Sequence, residues 1–227
     1  MIENNIKNIR QRILLATERC QRDPKEVTIL AVSKTKTTAD IKQAIAAGQD
    51  CFGENYIQEG VQKIQFLANP GLTWHFIGSV QSNKSRLVAQ YFDWCQSVNS
   101  LNCANRLNYQ RTSFQKPLNI LIQVNINNEQ TKFGVSLKEL STLAEQVSQL
   151  PYLKLRGLMA IPALKETYHH QLIIYQKMSE AFQELQNVYT SVDTLSLGMS
   201  NDMEAAIIAG STMVRIGTAI FGSRVQK

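Results

Sequence analysis

Apolar residues return at helical spacing over the first twenty positions, where Ile2, Ile6, Ile9, Ile13 and Leu14 fall on one stripe between Lys, Arg, Asn and Gln. The pattern predicts a helix over 2–21, stopped at Asp23-Pro24, where the proline ring bars a further turn. The next segment, Val27-Thr-Ile-Leu-Ala-Val-Ser33, does not alternate and reads as a strand buried on both faces, as parallel strands are. Helical stretches and short apolar runs then exchange along the chain. Strands are expected at 51–53, 73–77, 94–98, 118–126, 154–160, 193–197 and 213–216. The helices between them are expected at 38–48, 55–68, 82–91, 101–114, 136–149, 166–187 and 201–209.

Strand–helix alternation requires right-handed crossovers and a parallel sheet, and eight such units close into a barrel of about 250 residues. The expectation is one α/β domain over 1–227, a single (β/α)8 TIM barrel with an extra N-terminal helix. An open, doubly wound sheet would keep the same alternation. It uses fewer strands, however, and the Gly-rich turn it needs after strand one is replaced by Ser33-Lys34-Thr35-Lys36.

Composition supports a sizeable core: 44% of the 227 residues are hydrophobic and 19% charged, with no Pro/Ser/Gly-rich linker or short repeat. The formal charge of +6 raises the question of nucleic acid. The basic residues are scattered, though, and the local concentrations at Lys7, Arg10 and Arg12 and at Arg106 to Arg111 lie on amphipathic helices. A small-molecule role therefore ranks above specific nucleic-acid binding. The four cysteines, at 20, 51, 95 and 103, form no C-x-x-C pair, and the histidines do not stand at metal-ligand spacing beside them, so no metal is expected. The chain opens without a basic-then-apolar leader and has no apolar run of spanning length, which sets the expectation of a soluble cytoplasmic protein with no membrane role.

In a barrel, chemistry gathers at the C-terminal ends of the strands. Those ends are polar here: Ser33-Lys34, Gly53-Glu54-Asn55-Tyr56, Gly78-Ser79, Asn125 and Asn127, Gly198-Met199-Ser200, and Arg215-Ile216-Gly217-Thr218. Lys34 follows an apolar strand, where desolvation depresses an amine's pKa and suits it to Schiff-base chemistry. Position alone leaves this level with a lysine that snorkels from the rim to water. Lys36, two residues on, is expected in the loop. Residues 197–204 form a turn into a helix, with Asn201 and Glu204 at capping-box spacing, and Gly217-Thr218 sets a hydroxyl beside a glycine. Loops after strands seven and eight are the usual phosphate site of TIM barrels, although a plain cap and a C-terminal turn would give the same sequence. Asp202 and Glu204 are expected to face away from any anion. His75 alternates with Trp74 and Phe76 and reads as a hydrogen-bonded core histidine. His169-His170 reads as surface, and Trp74, Phe76 and Trp94 as packing.

A lysine for an aldehyde, a phosphate cradle and an arginine between them fit pyridoxal 5′-phosphate. The chain resembles the YggS/PROSC family of pyridoxal phosphate homeostasis proteins, itself similar to the N-terminal barrel of alanine racemase. The resemblance runs through Leu30-Ala-Val-Ser-Lys-Thr-Lys36, Phe52-Gly-Glu-Asn-Tyr56, Trp74-His-Phe-Ile-Gly78, Gln81-Ser-Asn-Lys84, Gly157-Leu-Met159, Leu195-Ser-Leu-Gly-Met-Ser200 and Val214-Arg-Ile-Gly-Thr-Ala-Ile-Phe-Gly222. It implies Lys34 as the aldimine lysine, Ser200, Gly217 and Thr218 as phosphate ligands, Arg215 as the partner of the pyridine nitrogen, and Asn55 and Ser79 as lesser contacts. Lys132 and Gly134 match a family Lys-x-Gly pattern and are expected either to close over the cofactor or to sit in a solvated loop. Thr37 stands where relatives often have proline, which bears on loop stiffness.

The resemblance further implies a monomeric binder that buffers pyridoxal phosphate and delivers it to apo-enzymes without substantial catalysis. A weak enzyme such as an amino-acid racemase is the alternative. Alanine racemase draws a second base from a C-terminal domain, which is expected to be missing here because the sequence stops at Lys227, directly after strand eight. A cation beside the pyridine nitrogen also weakens the ring as an electron sink.

Overall fold

The computed structural model describes residues 1–111, 116–126, 133–162 and 167–223. The chain opens with α1 (Ile2–Arg19) and a 3-10 turn (Pro24–Glu26), the expected stop. Eight strands follow: β1 (Thr28–Val32), β2 (Cys51–Glu54), β3 (Thr73–Phe76), β4 (Trp94–Val98), β5 (Leu118–Gln123), β6 (Leu153–Met159), β7 (Thr194–Ser196) and β8 (Met213–Ile216). All pair in parallel in sequence order, and the sheet closes through β8 on β1, with Leu30 opposite Arg215. The open-sheet alternative is thereby excluded.

Between the strands run α2 (Thr38–Ala46), α3 (Ile57–Leu67), α4 (Ser85–Tyr91), α5 (Leu101–Gln110), α6 (Leu137–Ser148), α7 (Tyr168–Val188) and α8 (Met203–Ile208), and after β8 comes α9 (Thr218–Phe221). Local chemistry starts several of them. Thr37 and Asp40 form a capping box on α2, and Ser136 and Glu139 form one on α6. Thr37 thus supplies by hydrogen bonding some of the stiffness that a proline would give its loop. The capping box expected from Asn201 and Glu204 does not form: α8 starts one residue later, after Asp202, without a side-chain cap, and Glu204 faces Arg12 and Arg19 instead.

The main core lies between the sheet's outer face and the helices, where Phe52, Trp74, Phe76 and Phe92 pack. α9 has only four residues, too few to cover the seam between β8 and β1. Helix α1 covers it, burying its Ile2, Ile6, Ile9 and Ile13 stripe and packing against α8, α9 and α2. Asn5 ties it to α9 by donating to the Ile220 carbonyl at 2.8 Å. The extra N-terminal helix therefore stands where an eighth barrel helix would.

Inside the barrel, Leu30, Val32, Ile77 and Met213 form one small apolar cluster, and Trp94, Leu121 and Met159 another. Buried polar residues from four strands, His75, Gln96, Ser196 and Arg215, complete the interior.

Candidate functional site

At the C-terminal mouth of the barrel a cleft of about 300 Å³ gathers Lys34, Asn55, Ser200, Arg215, Gly217 and Thr218. Ser79 is set apart: it lines an adjoining depression with Tyr56, Gln81 and Lys84, sharing only Asn55 with the cleft. The two recesses adjoin at Asn55, whose carbonyl Gly78 approaches so closely that a Cβ there would collide with its oxygen. The Oδ1 atom of Asn55 is buried without a hydrogen-bond partner among the described residues. A larger groove between α6 and α7, about 480 Å³, brings together no comparable set of groups.

Arg215 is buried, and its guanidinium is fixed from two sides. Nη1 donates to the Ser196 carbonyl at 2.7 Å and to its hydroxyl at 2.8 Å, while Nη2 donates to the Ala160 carbonyl at 2.8 Å. Burial pushes its pKa below the usual range, and Tyr175 and Asp202 oppose that push. Asp202 does not face away as expected. It lines the cleft because its carboxylate is drawn inward, accepting from the Tyr175 hydroxyl at 2.6 Å and from the Met199 N–H at 2.5 Å. Arg12 of α1 donates to the Ser200 carbonyl at 3.0 Å, holding the turn after β7 from outside.

A chain of hydrogen bonds runs from Arg215 across the barrel interior. Ser196 Oγ donates to Gln96 Oε1 at 2.7 Å, and Gln96 Nε2 stands 3.0 Å from His75 Nδ1. An amide nitrogen can only donate, so His75 Nδ1 accepts and the ring proton lies on Nε2. His75 is the hydrogen-bonded core histidine that the sequence indicates, stacked on Trp94 with ring centroids 4.8 Å apart. Lys36 turns away from the cleft, and its Nζ donates to the carbonyls of Phe221, Gly222 and Ser223 at 3.1–3.3 Å. His169 and His170 are exposed on α7. Lys132 and Asn127 lie outside the described residues, while Gly134 adopts φ +129 with its backbone close against Asn125.

Sequence reasoning passed over Ser196 and Gln96, which hold Arg215 directly and through Ser196, and Tyr175, which holds Asp202. For Gln96 on β4 and Ser196 on β7 the available signal was a polar side chain in a strand expected to be buried on both faces; Tyr175, on α7, gave no such signal.

The alanine racemase N-terminal domain family matches residues 2–225. A pyridoxal phosphate homeostasis protein of Escherichia coli K12 is 57% identical over 226 residues, covering 98% of this chain and 97% of that protein. Among solved structures, PipY of Synechococcus elongatus with PLP bound superposes with a TM-score of 0.80 at 36% identity, covering 94% of this chain and 100% of PipY. An alanine racemase from Corynebacterium glutamicum shares the fold at 13% identity and a TM-score of 0.73, covering 98% of this chain and 61% of that one.

Proposed function

We propose that this chain, which belongs to the alanine racemase N-terminal domain family and within it to the pyridoxal phosphate homeostasis proteins, binds pyridoxal 5′-phosphate at Lys34 and holds it for delivery. The observation that carries this reading is the convergence of Lys34, Ser200, Arg215, Gly217 and Thr218 on one cleft. When bound, the cofactor supplies an aldehyde that can condense with an amine, releasing water, and an electron-withdrawing pyridine ring.

The residues present fit such a group. Lys34 supplies the amine. Ser200 and Thr218 offer hydroxyl donors in the same cleft as the Gly217 backbone, a donor set suited to a phosphate. Arg215 offers a fixed cation to the ring nitrogen, and the orphaned Asn55 Oδ1 has an acceptor to spare for a ring substituent. Ser79, in the adjoining depression, is at most a peripheral contact.

Arg215 also bears on activity. A guanidinium held by Ser196 and Ala160 would disfavour protonation of a ring nitrogen brought against it, which would limit carbanion chemistry and favours a holder over an enzyme. The curated relative named for homeostasis is matched across 97% of its length, which supports carrying that role to this chain. We place the protein in the cytoplasm as a monomer that hands its cofactor to apo-enzymes. Its four cysteines are unpaired thiols, in keeping with a reducing compartment.

Borohydride reduction after incubation with pyridoxal phosphate, followed by peptide mass mapping, tests the assignment. The label is expected on Lys34 and is expected to vanish in Lys34→Ala. A label on Lys36, whose amine is occupied by three carbonyls, would overturn it.

A further inference from the structure

Behind the cleft, the loop that carries Lys34 is gripped from β2 and α3 by a cluster that lines no part of the cleft itself. Both neighbours of Lys34 are held. The Ser33 carbonyl accepts from Lys63 Nζ at 2.6 Å, and the Ser33 hydroxyl donates to Glu54 Oε1 at 2.6 Å. On the other side, the Thr35 N–H donates to Glu59 Oε1 at 2.6 Å. Lys63 joins the two carboxylates, at 2.7 Å from Glu54 and 2.6 Å from Glu59. Thr35 has φ +63, a left-handed conformation that costs an L-residue about 1 kcal/mol and persists where surroundings impose it.

The cluster is a costly way to build a barrel wall. Glu54 is fully buried and Lys63 is 6% exposed, and apolar residues of similar volume would serve stability at least as well. Burial raises the pKa of Glu54 while Lys63 and Ser33 lower it, so the partners offset only part of the desolvation. What ion-paired groups add over apolar ones is a fixed geometry, and here that geometry is imposed on residues 33 and 35.

We propose that Lys63, with Glu54 and Glu59, is a positioning cluster for Lys34: it fixes the loop from both sides so that the amine enters the cleft in one orientation. The inference rests on Lys34 being the cofactor lysine. Helix α3 thereby acts on the linkage without touching the cofactor, and Glu59, whose side chain is 29% exposed, is the member reachable by a mild substitution.

The test compares the unaltered protein with Glu59→Ala, Glu59→Gln and the paired variant Glu54→Gln/Lys63→Met, which removes both buried charges together. Three quantities are read: the rate of borohydride-fixable linkage at Lys34, its pH midpoint, and, without cofactor, the rate at which an amine-reactive ester acylates Lys34. Thermal melts identify folded variants. Glu59→Ala is expected to slow linkage about tenfold, equivalent to about 1.4 kcal/mol in the barrier, and to shift its pH midpoint. Glu59→Gln, which keeps an acceptor for the Thr35 N–H, is expected to restore most of the rate. If Glu59→Ala is folded and its linkage rate, pH midpoint and ester reactivity match the unaltered protein, the positioning inference is overturned and the Lys34 assignment stands. Linkage of the unaltered protein at another lysine would overturn the assignment itself, and this inference with it.

Discussion

Burial drives the imidazole of His75 from its ordinary pKa of 6.5 down to about 3, with the Arg156 charge adding to the effect. The folded state therefore holds a neutral ring that the unfolded chain would protonate below pH 6.5. Its contribution to stability is whole above that value and is lost as pH falls towards 3. Between pH 7 and pH 5 this one residue accounts for a loss of about 2 kcal/mol. In His75→Gln, which leaves an acceptor for Gln96, urea unfolding at the two pH values is expected to show a difference smaller by that amount. An unchanged difference would mean that His75 is not the group being titrated. At this scale the sequence reveals residues whose position is itself unusual, such as Lys34 at the end of an apolar strand or Arg215 beside a glycine turn. It does not reveal Lys63, because a lysine on a helix looks solvated until the partners arriving from β2 and the loop after β1 are in place. Asp202 was misjudged for a similar reason: its placement follows from the Tyr175 hydroxyl, 27 residues away in the chain.

The strands are legible as elements because parallel strands buried on both faces leave unbroken apolar runs. Their ends are less so. β5 stops at Gln123 rather than 126, since Val124 pairs in an isolated bridge with Val135, a partner the local pattern cannot indicate. α9 escapes periodicity altogether, being a single turn set by Gly217. That turn and the one after β7 are expected to act together on an anion. Ser200→Ala with Thr218→Val should weaken pyridoxal phosphate binding by at least about 150-fold, because each of the two lost hydrogen bonds to a charged group contributes roughly 1.5–3 kcal/mol. Titration followed by fluorescence, with circular dichroism to confirm the fold, measures this, and unchanged affinity would move the phosphate elsewhere. For α1 the expectation concerns stability. Ile6 is fully buried over the closing seam, so Ile6→Ala should cost about 3 kcal/mol in denaturant unfolding. A cost below 1 kcal/mol would mean that the seam is closed without α1.

For the whole molecule, eight alternating units and the lack of a Gly-rich turn after the first strand indicate the closed barrel, whereas the substitution of α1 for an eighth helix depends on which helices meet in space. Function at this scale separates holder from enzyme. The cofactor-loaded protein is expected to racemise or decarboxylate common amino acids far below the 1–1000 per second typical of enzymes. It is also expected to reactivate an apo-enzyme in the presence of a scavenger for free cofactor. Rapid turnover would reverse the first conclusion, and failure to reactivate would confine the protein to storage. The seam between β1 and β8 has a consequence for synthesis. Lys34 emerges early from the ribosome, but the arginine, glycine and hydroxyl that complete its cleft are made more than 180 residues later, on a strand that must find β1 across the length of the chain. A nascent chain therefore has no cofactor site to offer until β8 and the turn after it have been translated, and loading is confined to molecules whose barrel has already closed.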